Sequence, residues 1–312
     1  MTKFRVFFLI ISFMLSQATF ISRYFVAKSE CDDKKSNYEL LREYNSSSLI
    51  ECATLCQRDC VFFGYNPILM KCRTHKEIFT SQMSDEIGWS YYSHFILTDC
   101  KDLLEDGRNN TGLYEIYSYG TSSRSVRVYC DMETMDGGWT VIQKRVDGSL
   151  SFERTWLEYK NGFGESEQNV WIGNDAIHHL TKGKNSSLYV SITLVNGSKL
   201  NELYAHFSVS DEAALYKLLL AGPATGTLGD RMMDTGSSNT DPSGMNFTSP
   251  DRDNDRMSGN CARSYKGGWW FNNCHDAFLN GQWSPGYWYE TWTPTIQNGT
   301  SVRETMMMIR RH

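Results

Sequence analysis

Hydrophobic and polar positions alternate over short stretches along much of the chain, which is typical of strands. Residues 112–117 alternate as a strand does, and residues 127–132 fit its hairpin partner. A glycine turn leads into an apolar strand over 137–145, and 188–194 is a strand by composition. No strand–helix–strand unit repeats, so the pattern predicts an α+β fold around a mostly antiparallel sheet.

Three segments carry helix-start signals instead. Ser48 followed three residues later by Glu51 is a capping-box pattern, which predicts a helix over 52–58. A short helix is predicted over 175–180. Residues 210–218 begin with serine and two acids and are followed by Gly222-Pro223, so a capped helix is predicted there.

The first residues predict a secretory leader. Lys3 and Arg5 precede the apolar run 6–15, and the small residues of 16–18 follow it, so residues 1–18 are expected to be a signal peptide. Cleavage could fall as late as residue 27, because apolar residues continue after position 18. An uncleaved leader would make the protein a membrane-anchored receptor.

Glycosylation motifs and cysteines point to the same compartment. Six Asn-x-Ser/Thr motifs are candidate glycosylation sites, and nine cysteines occur, an odd number that cannot all pair within one chain. The protein is therefore expected to be secreted, extracellular and disulfide-bonded. The candidate sites are Asn45, Asn109, Asn185, Asn196, Asn246 and Asn298.

Composition excludes several classes of protein. A formal net charge of −5 without a run of like charge argues against nucleic-acid binding. No residues match a zinc-protease helix, a serine-hydrolase elbow, a phosphate loop or a dinucleotide-binding fingerprint. The sequence therefore predicts a binding protein and not an enzyme.

The cysteines divide the chain into two modules. Five of them lie within 31–72, where a short segment needs disulfides to stay folded. The predicted helix with Cys52 and Cys56, followed by an aromatic strand and Cys72, resembles a PAN/apple domain. That resemblance places a disulfide-linked α+β module at 30–98.

The PAN/apple resemblance also implies a disulfide pattern. It pairs Cys52 with Cys72 and Cys56 with Cys60. Cys31 is then the odd cysteine. Two hypotheses remain for its thiol: capping by a small thiol, or a disulfide between two copies of the chain.

The segment 99–312 resembles the fibrinogen C-terminal domain family, which includes ficolins, tenascins, angiopoietins and invertebrate fibrinogen-related lectins. Its landmarks cover nearly the whole segment. They are Cys130-Asp-Met, Gly137-Gly-Trp-Thr-Val-Ile-Gln, Trp156 with Tyr159, Gly162-Phe-Gly, Trp171-Ile-Gly-Asn, Asp253-x-Asp255, Gly259-Asn-Cys-Ala, Gly268-Trp-Trp and Leu279-Asn-Gly. A Cys100–Cys130 bond is expected beside the first hairpin, and the resemblance implies a Cys261–Cys274 bond.

The densest carboxylate cluster of the chain, within 251–261, resembles the calcium loop of that family. The match assigns side-chain oxygens to Asp253 and Asp255 and carbonyl oxygens to Met257 and Gly259. Carboxylate and carbonyl oxygens are the ligands that Ca²⁺ prefers. Ca²⁺ is therefore the expected cofactor, and the spacing is not that of an EF-hand.

A ligand pocket is implied beside this loop. In lectin-like members of the family, such a pocket holds the acetyl group of acetylated sugars or amines. The resemblance makes Tyr265 and His275 wall and hydrogen-bonding residues, and it makes the amides of Asn273 and Cys274 donors to the ligand.

The far wall of that pocket departs from the family. Between residues 282 and 290 the chain is too short for the family's usual loop, and Tyr287 is the candidate substitute for the missing aromatic side chain. Two hypotheses of function follow. The first is a secreted calcium-dependent lectin for acetylated glycans in innate immune recognition, and the alternative is a protein-binding ligand or matrix component of the angiopoietin or tenascin type.

Overall fold

The computed structural model of the chain contains two compact units, Met1–Ile96 and Leu97–His312. Among the residues that it describes, no helix combines the length and apolar character needed to cross a membrane. The described residues are 9–13, 21–27, 31–37, 39–56, 60, 62–75, 83–94, 97–118, 125–233, 239–283, 292–293, 295–296 and 302–312.

Unit 1 is a small antiparallel sheet with one helix. Its main sheet has the strand order β1-β2-β8-β5-β6-β4, and β3 pairs with β7 in a second, two-stranded sheet. The elements are β1 (Leu9–Phe13), β2 (Ile21–Ala27), β3 (Lys34–Ser36), β4 (Leu40–Asn45), α1 (Leu49–Leu55), β5 (Phe62–Asn66), β6 (Lys71–His75), β7 (Met83–Asp85) and β8 (Ser90–His94).

Helix α1 begins where the capping signal predicts. The Ser48 hydroxyl accepts the Glu51 N–H at 3.1 Å, and the Glu51 carboxylate accepts the N–H of Ser47 at 2.7 Å. Disulfides join Cys52 to Cys72 and Cys56 to Cys60. These bonds are buried with Phe63 and tie the helix to the sheet.

The burial of Cys31 argues against an interchain bond. Cys31 lies outside the four disulfides of the structure, is 2% exposed, and packs with Trp89 and Tyr91 inside unit 1. A disulfide to another chain needs an accessible sulfur atom. Burial of this sulfur atom disfavours a Cys31-linked homodimer, and the state of the Cys31 thiol stays a prediction.

The predicted leader overlaps strands of unit 1. Residues 1–8 and 14–20 lie outside the described part of the chain, whereas β1 and β2 pair with each other in antiparallel register. Cleavage after residue 18 would remove β1 and keep β2. Signal-peptide removal stays a prediction.

Unit 2 is built on one nine-stranded antiparallel sheet with short helices around it, which confirms the predicted α+β class. The strand order is β12-β13-β11-β17-β14-β15-β16, and β10 pairs with both β11 and β9. The elements are α2 (Cys100–Glu105), β9 (Gly112–Ile116), β10 (Val126–Asp131), β11 (Trp139–Arg145), α3 (Trp156–Asn161), β12 (Phe163–Gly164), β13 (Val170–Trp171), α4 (Asn174–Thr181), β14 (Ser186–Leu194), β15 (Lys199–Val209), β16 (Leu218–Gly226), α5 (Cys261–Tyr265) and β17 (Val302–Arg311).

The last strand lies near the middle of this sheet. β17 pairs with β11 on one side and with β14 on the other, and Met306, Met307 and Met308 are buried there. Arg311 reaches the carboxylates of Asp99 and Asp102 beside α2. The end of the chain therefore stabilises the start of unit 2.

The predicted helix over 210–218 is wrong. A 3₁₀ turn spans Glu212–Ala214, and Leu215 and Tyr216 then adopt left-handed backbone angles, with φ of 56° and 49°. The Tyr216 hydroxyl donates to Asp175 at 2.5 Å, and its carbonyl accepts from the Trp270 indole at 2.7 Å. These contacts with residues distant in sequence hold Leu215 and Tyr216 in left-handed backbone angles, which a right-handed helix excludes. Strand β16 then begins at Leu218.

Candidate functional site

A layer of buried aromatic side chains supports the candidate site. Trp270 packs with its ring centroid 5.4 Å from Phe247 and 5.9 Å from Trp171. The hydroxyl of Tyr159 donates to the Phe152 carbonyl at 2.7 Å and accepts the N–H of Gly268 at 2.8 Å. Because these groups are buried and hydrogen-bonded, the loops above them rest on a rigid base.

Gly268 is required at this base. A Cβ atom at that position would lie 2.6 Å from the ring of Tyr159 and 2.9 Å from the ring of Phe247. The predicted Gly-Trp-Trp landmark is thus explained by packing: a glycine lets the chain cross the aromatic layer, and the following tryptophans fill it.

The acidic loop, residues 251–260, follows directly on a bridge between Thr248 and Trp269. The Asp251 carboxylate accepts from the Trp156 N–H at 2.8 Å and from the Ser249 hydroxyl at 2.7 Å. Asp251 therefore fastens the loop to helix α3. The Asn254 side chain donates to the Phe247 carbonyl at 2.7 Å and anchors the loop to the aromatic layer.

Asp253 and Asp255 form the charged centre of the acidic loop. Asp255 accepts the N–H groups of Met257 and Cys261, each at 2.9 Å, and Asp253 accepts the N–H of Asp255 at 3.3 Å. Burial raises the pKa of Asp255, while the two N–H groups oppose that rise. Two carboxylates this close in sequence repel each other unless a cation lies between them.

The acidic loop fits a hard cation with oxygen ligands. Within the described residues, no salt bridge reaches Asp253 or Asp255, and no donor reaches the carbonyl oxygens of Met257 or Gly259. No three acidic, histidine or cysteine side chains cluster anywhere in that part of the chain. A bound ion would therefore depend on backbone carbonyl oxygens as well as on the two carboxylates.

A disulfide joins the acidic loop to the predicted pocket. Cys261 and Cys274 are bonded, as Cys100 and Cys130 are at the start of unit 2. Met257 is 42% exposed, and its sulfur lies 3.2 Å from the sulfur of Cys274. The four disulfides of the structure are those expected from sequence and resemblance.

His275 lies in a cage of aromatic side chains. Its ring centroid is 4.5 Å from that of Tyr265, 4.9 Å from Phe278 and 5.7 Å from Phe271. The residue is 7% exposed, and within the described part of the chain neither ring nitrogen has a hydrogen-bond partner. A buried polar group in this state gains free energy when a ligand supplies a hydrogen bond.

The structure corrects the role of Asn273. Its N–H, predicted to donate to a ligand, donates instead to the carbonyl of Asn239 at 2.8 Å. Asn272 in turn donates its N–H to the Cys274 carbonyl at 3.0 Å. One of the two expected backbone donors is thus used inside the protein, because an irregular buried loop must pair its own polar groups.

Two of the sequence predictions lie outside the described residues. They are Tyr287, the candidate far wall, and the glycosylation motif at Asn298. Tyr265 and His275 are brought together. The hydrogen bonds that Asn273 donates to the Asn239 carbonyl and that Asn272 donates to the Asp241 carbonyl were not predicted from the sequence. No local signal in the sequence marks these long-range contacts.

Burial of His275 in the aromatic cage makes the unfolding free energy depend on pH. Burial lowers the pKa of His275 from 6.5 to about 3. Between pH 6.5 and 3, the unfolded chain binds a proton at His275 that the native protein does not bind. The unfolding free energy contributed by the neutral ring is therefore complete above pH 6.5 and is lost as the pH falls towards 3. The loss is at most about 1.4 kcal/mol per pH unit.

We therefore expect His275→Gln to flatten the loss of unfolding free energy between pH 6.5 and 4.5, measured by urea titration. Tyr265→Phe changes the same cage but keeps the imidazole, so this control should retain the wild-type slope. An unchanged slope in His275→Gln would show that the ring is protonated in the native state.

A family model with the description "Fibrinogen beta and gamma chains, C-terminal globular domain" matches residues 96–312. The chain belongs to the fibrinogen C-terminal domain family. The resemblance noted in the sequence is thereby confirmed for unit 2. Fibrinogen C-terminal domains are non-catalytic binding domains, as the sequence predicted.

Curated relatives share this domain. The chain is 43% identical over 232 residues to fibroleukin of Bos taurus, covering 70% of the chain and 52% of that protein. It is 38% identical over 221 residues to angiopoietin-2 of Rattus norvegicus, covering 68% of the chain and 42% of that protein. The chain thus spans about half the length of these relatives.

Solved structures of fibrinogen-like domains are similar to this chain as well. The fibrinogen-like globe domain of human ANGPTL2 is 37% identical with a TM-score of 0.61, and the match covers 69% of this chain and 98% of that one. Lamprey fibrin D-dimer, complexed with the peptide ligand Gly-His-Arg-Pro-amide, is 30% identical with a TM-score of 0.61; the match covers 68% of this chain and 72% of that one. Unit 2 is therefore a fibrinogen-like globe.

Proposed function

We propose that the protein is an extracellular, calcium-dependent recognition protein whose globe binds a protein or peptide ligand. The proposed ligand surface consists of the acidic loop and the disulfide loop, residues 261–274. The similarity to fibroleukin and angiopoietin-2 and the peptide held by lamprey fibrin support this class of ligand. Four disulfides support an oxidising, extracellular location.

One observation favours a protein ligand over an acetylated sugar. An acetyl carbonyl group needs converging donors, and the N–H of Asn273 already donates to Asn239. A protein ligand depends less on any one donor, because it spreads its contacts over a larger surface. The pocket is then one part of a wider interface.

Calcium is proposed as the cofactor of the acidic loop. Asp253 and Asp255 would supply carboxylate oxygens, and Met257 and Gly259 would supply carbonyl oxygens. The support is that, within the described residues, no salt bridge reaches the two carboxylates and no donor reaches the two carbonyl oxygens. A bound ion would neutralise the loop and hold it against the disulfide.

Lectin activity is the second candidate, and His275 favours it. The ring is buried in the cage and has no hydrogen-bond partner among the described residues. An acetamido group offers both a donor and a methyl group that suits aromatic walls. Acetylated glycans and a role in innate immune recognition remain hypotheses of this second candidate.

Unit 1 is proposed to be a PAN/apple-type module. Its support is the helix joined to an antiparallel sheet by the Cys52–Cys72 bond. Such a module would add a second contact site on the same chain, and linked sites raise the overall affinity for a surface.

The two candidates differ in one measurement. We expect the purified protein to pass through N-acetylglucosamine resin both with calcium and with chelator, while calcium still raises its melting temperature. Calcium-dependent retention, released by free acetylated sugar, would replace the protein-ligand proposal with the lectin. His275→Gln is the matched variant, because retention through the cage should be lost in it.

A further inference from the structure

A half-open groove lies on the edge of the unit 2 sheet, away from the acidic loop in sequence. Its volume is about 270 Å³, which is near the lower end for ligand pockets. Strand β16 is the edge strand of the sheet, and it pairs with β15 along the groove. The lining residues are Lys184, Asn185, Ser186, His206, Phe207, Ser208, Leu219, Leu220 and Ala221.

The groove suits a neutral ligand with both apolar and polar faces. Lys184 does not select an anion, because its ammonium group is paired with Asp99 at 3.1 Å. Leu219 is 51% exposed on the edge strand and offers apolar surface. A pyranose sugar has this mixed character, with C–H faces and hydroxyl edges.

Ser186 contributes a buried hydroxyl group to the groove. The residue is 2% exposed and lines the groove, and its hydroxyl oxygen has no hydrogen-bond partner among the described residues. Buried hydroxyl groups are normally paired, so this hydroxyl is an unsatisfied polar group directly beneath the surface of the groove. The lining of the groove therefore combines polar side chains with apolar ones.

The neighbouring residue can supply an occupant of the groove. Asn185 is exposed and begins the motif Asn185-Ser186-Ser187, which is an acceptor for N-linked glycans. Its side-chain oxygen accepts a hydrogen bond from His206 Nδ1 at 2.5 Å. Its Nδ2 atom, which would carry the glycan, has no partner among the described residues.

We propose that Asn185 carries an N-linked glycan whose first sugar lies in this groove. The donor is a polyprenyl-diphosphate-linked oligosaccharide of the secretory pathway. Nδ2 bonds to the anomeric carbon of the sugar, the bond from that carbon to the diphosphate oxygen breaks, the polyprenyl diphosphate leaves, and one amide proton is released. The inference rests on the proposed extracellular location.

The glycan would protect the edge of the sheet. An edge strand exposes unpaired backbone groups and, here, an apolar side chain at Leu219, and both can pair with another chain. In the pairing of β15 with β16, His206 lies opposite Ala221 and Phe207 lies opposite Leu220. A sugar over these residues would therefore cover both strands. The covalent link to Asn185 holds the sugar at the groove at high effective concentration.

The test compares two glycosylation motifs of the same hairpin in the intact secreted protein from animal cells. Asn196 lies exposed in the turn between β14 and β15 and serves as the control. We expect mass spectrometry of glycopeptides to find Asn185 occupied. Peptide N-glycosidase should remove its glycan from native protein about tenfold more slowly than the glycan of Asn196, because the enzyme needs the sugar to leave the groove. The two rates should become equal after denaturation.

A variant in the groove distinguishes a sugar that packs in the groove from a glycan that is only attached to Asn185. Leu219→Ser removes exposed apolar surface, so it should raise the native release rate at Asn185 towards that of Asn196 with an unchanged melting temperature. If Asn109 or Asn196 carries a glycan and Asn185 does not, the inference is overturned, while the proposed extracellular location still holds. Equal native release rates would also overturn it. A secreted protein with no glycan at any motif would overturn it as well, and failure of the protein to enter the secretory pathway would contradict the proposed location itself.

Discussion

Calcium should no longer raise the melting temperature once Asp253 and Asp255 are both replaced by asparagine. If the proposed site binds calcium, the wild-type protein should gain about 2.7 kcal/mol of unfolding free energy when calcium is 100-fold above its dissociation constant. The double variant loses both charged ligands of the acidic loop, so this gain should disappear. Differential scanning calorimetry with calcium and with chelator measures it.

Asp251→Asn is the matched control for that experiment. Asp251 accepts hydrogen bonds from Trp156 and Ser249 and lies in the same loop. Its replacement should lower the melting temperature by the same amount with and without calcium. A full calcium response in the double variant would place the metal elsewhere.

The second large effect is expected at the aromatic base. Trp270 is fully buried, and its indole N–H donates to the Tyr216 carbonyl at 2.7 Å. Trp270→Ala should lower the unfolding free energy by about 3–5 kcal/mol, since it leaves a cavity and removes this buried hydrogen bond. Urea unfolding followed by circular dichroism at fixed calcium measures the loss.

Two variants test the cause of that loss. Trp270→Phe keeps an aromatic ring and removes the hydrogen bond, so a smaller loss is expected. Leu157→Ala removes a side chain that is 63% exposed on α3 and should change the unfolding free energy by no more than about 0.5 kcal/mol. A loss below about 1 kcal/mol in Trp270→Ala would show that the aromatic layer repacks.

Local signals explain which elements the sequence predicts well. Ser48 and Glu51 start α1 because a capping hydrogen bond needs only residues three positions apart. Alternation over 112–117 predicts β9 because the period of side chains along a strand is local too. The same signal failed at 210–218, where contacts of Tyr216 with Asp175 and Trp270 override a good helix start.

The long hairpin of unit 2 shows the same limit. β15 (Lys199–Val209) was not predicted, and Gly222 and Pro223, taken as a helix stop, lie inside β16. A proline is tolerated there because β16 is an edge strand, and sheet position cannot be read from a single segment. The groove beside Asn185 exists only because these strands meet.

By itself the sequence determined the α+β class, the family, the absence of catalytic motifs and the acidic loop, since each depends on residue types at fixed spacing along the chain. Only the tertiary structure decided that Asn239 takes the N–H of Asn273 and that Cys31 is buried. It also decided that His275 lies in an aromatic cage, where the described residues offer its ring no hydrogen-bond partner. Burial and hydrogen-bond partners depend on which distant segments meet, and no local pattern encodes that meeting.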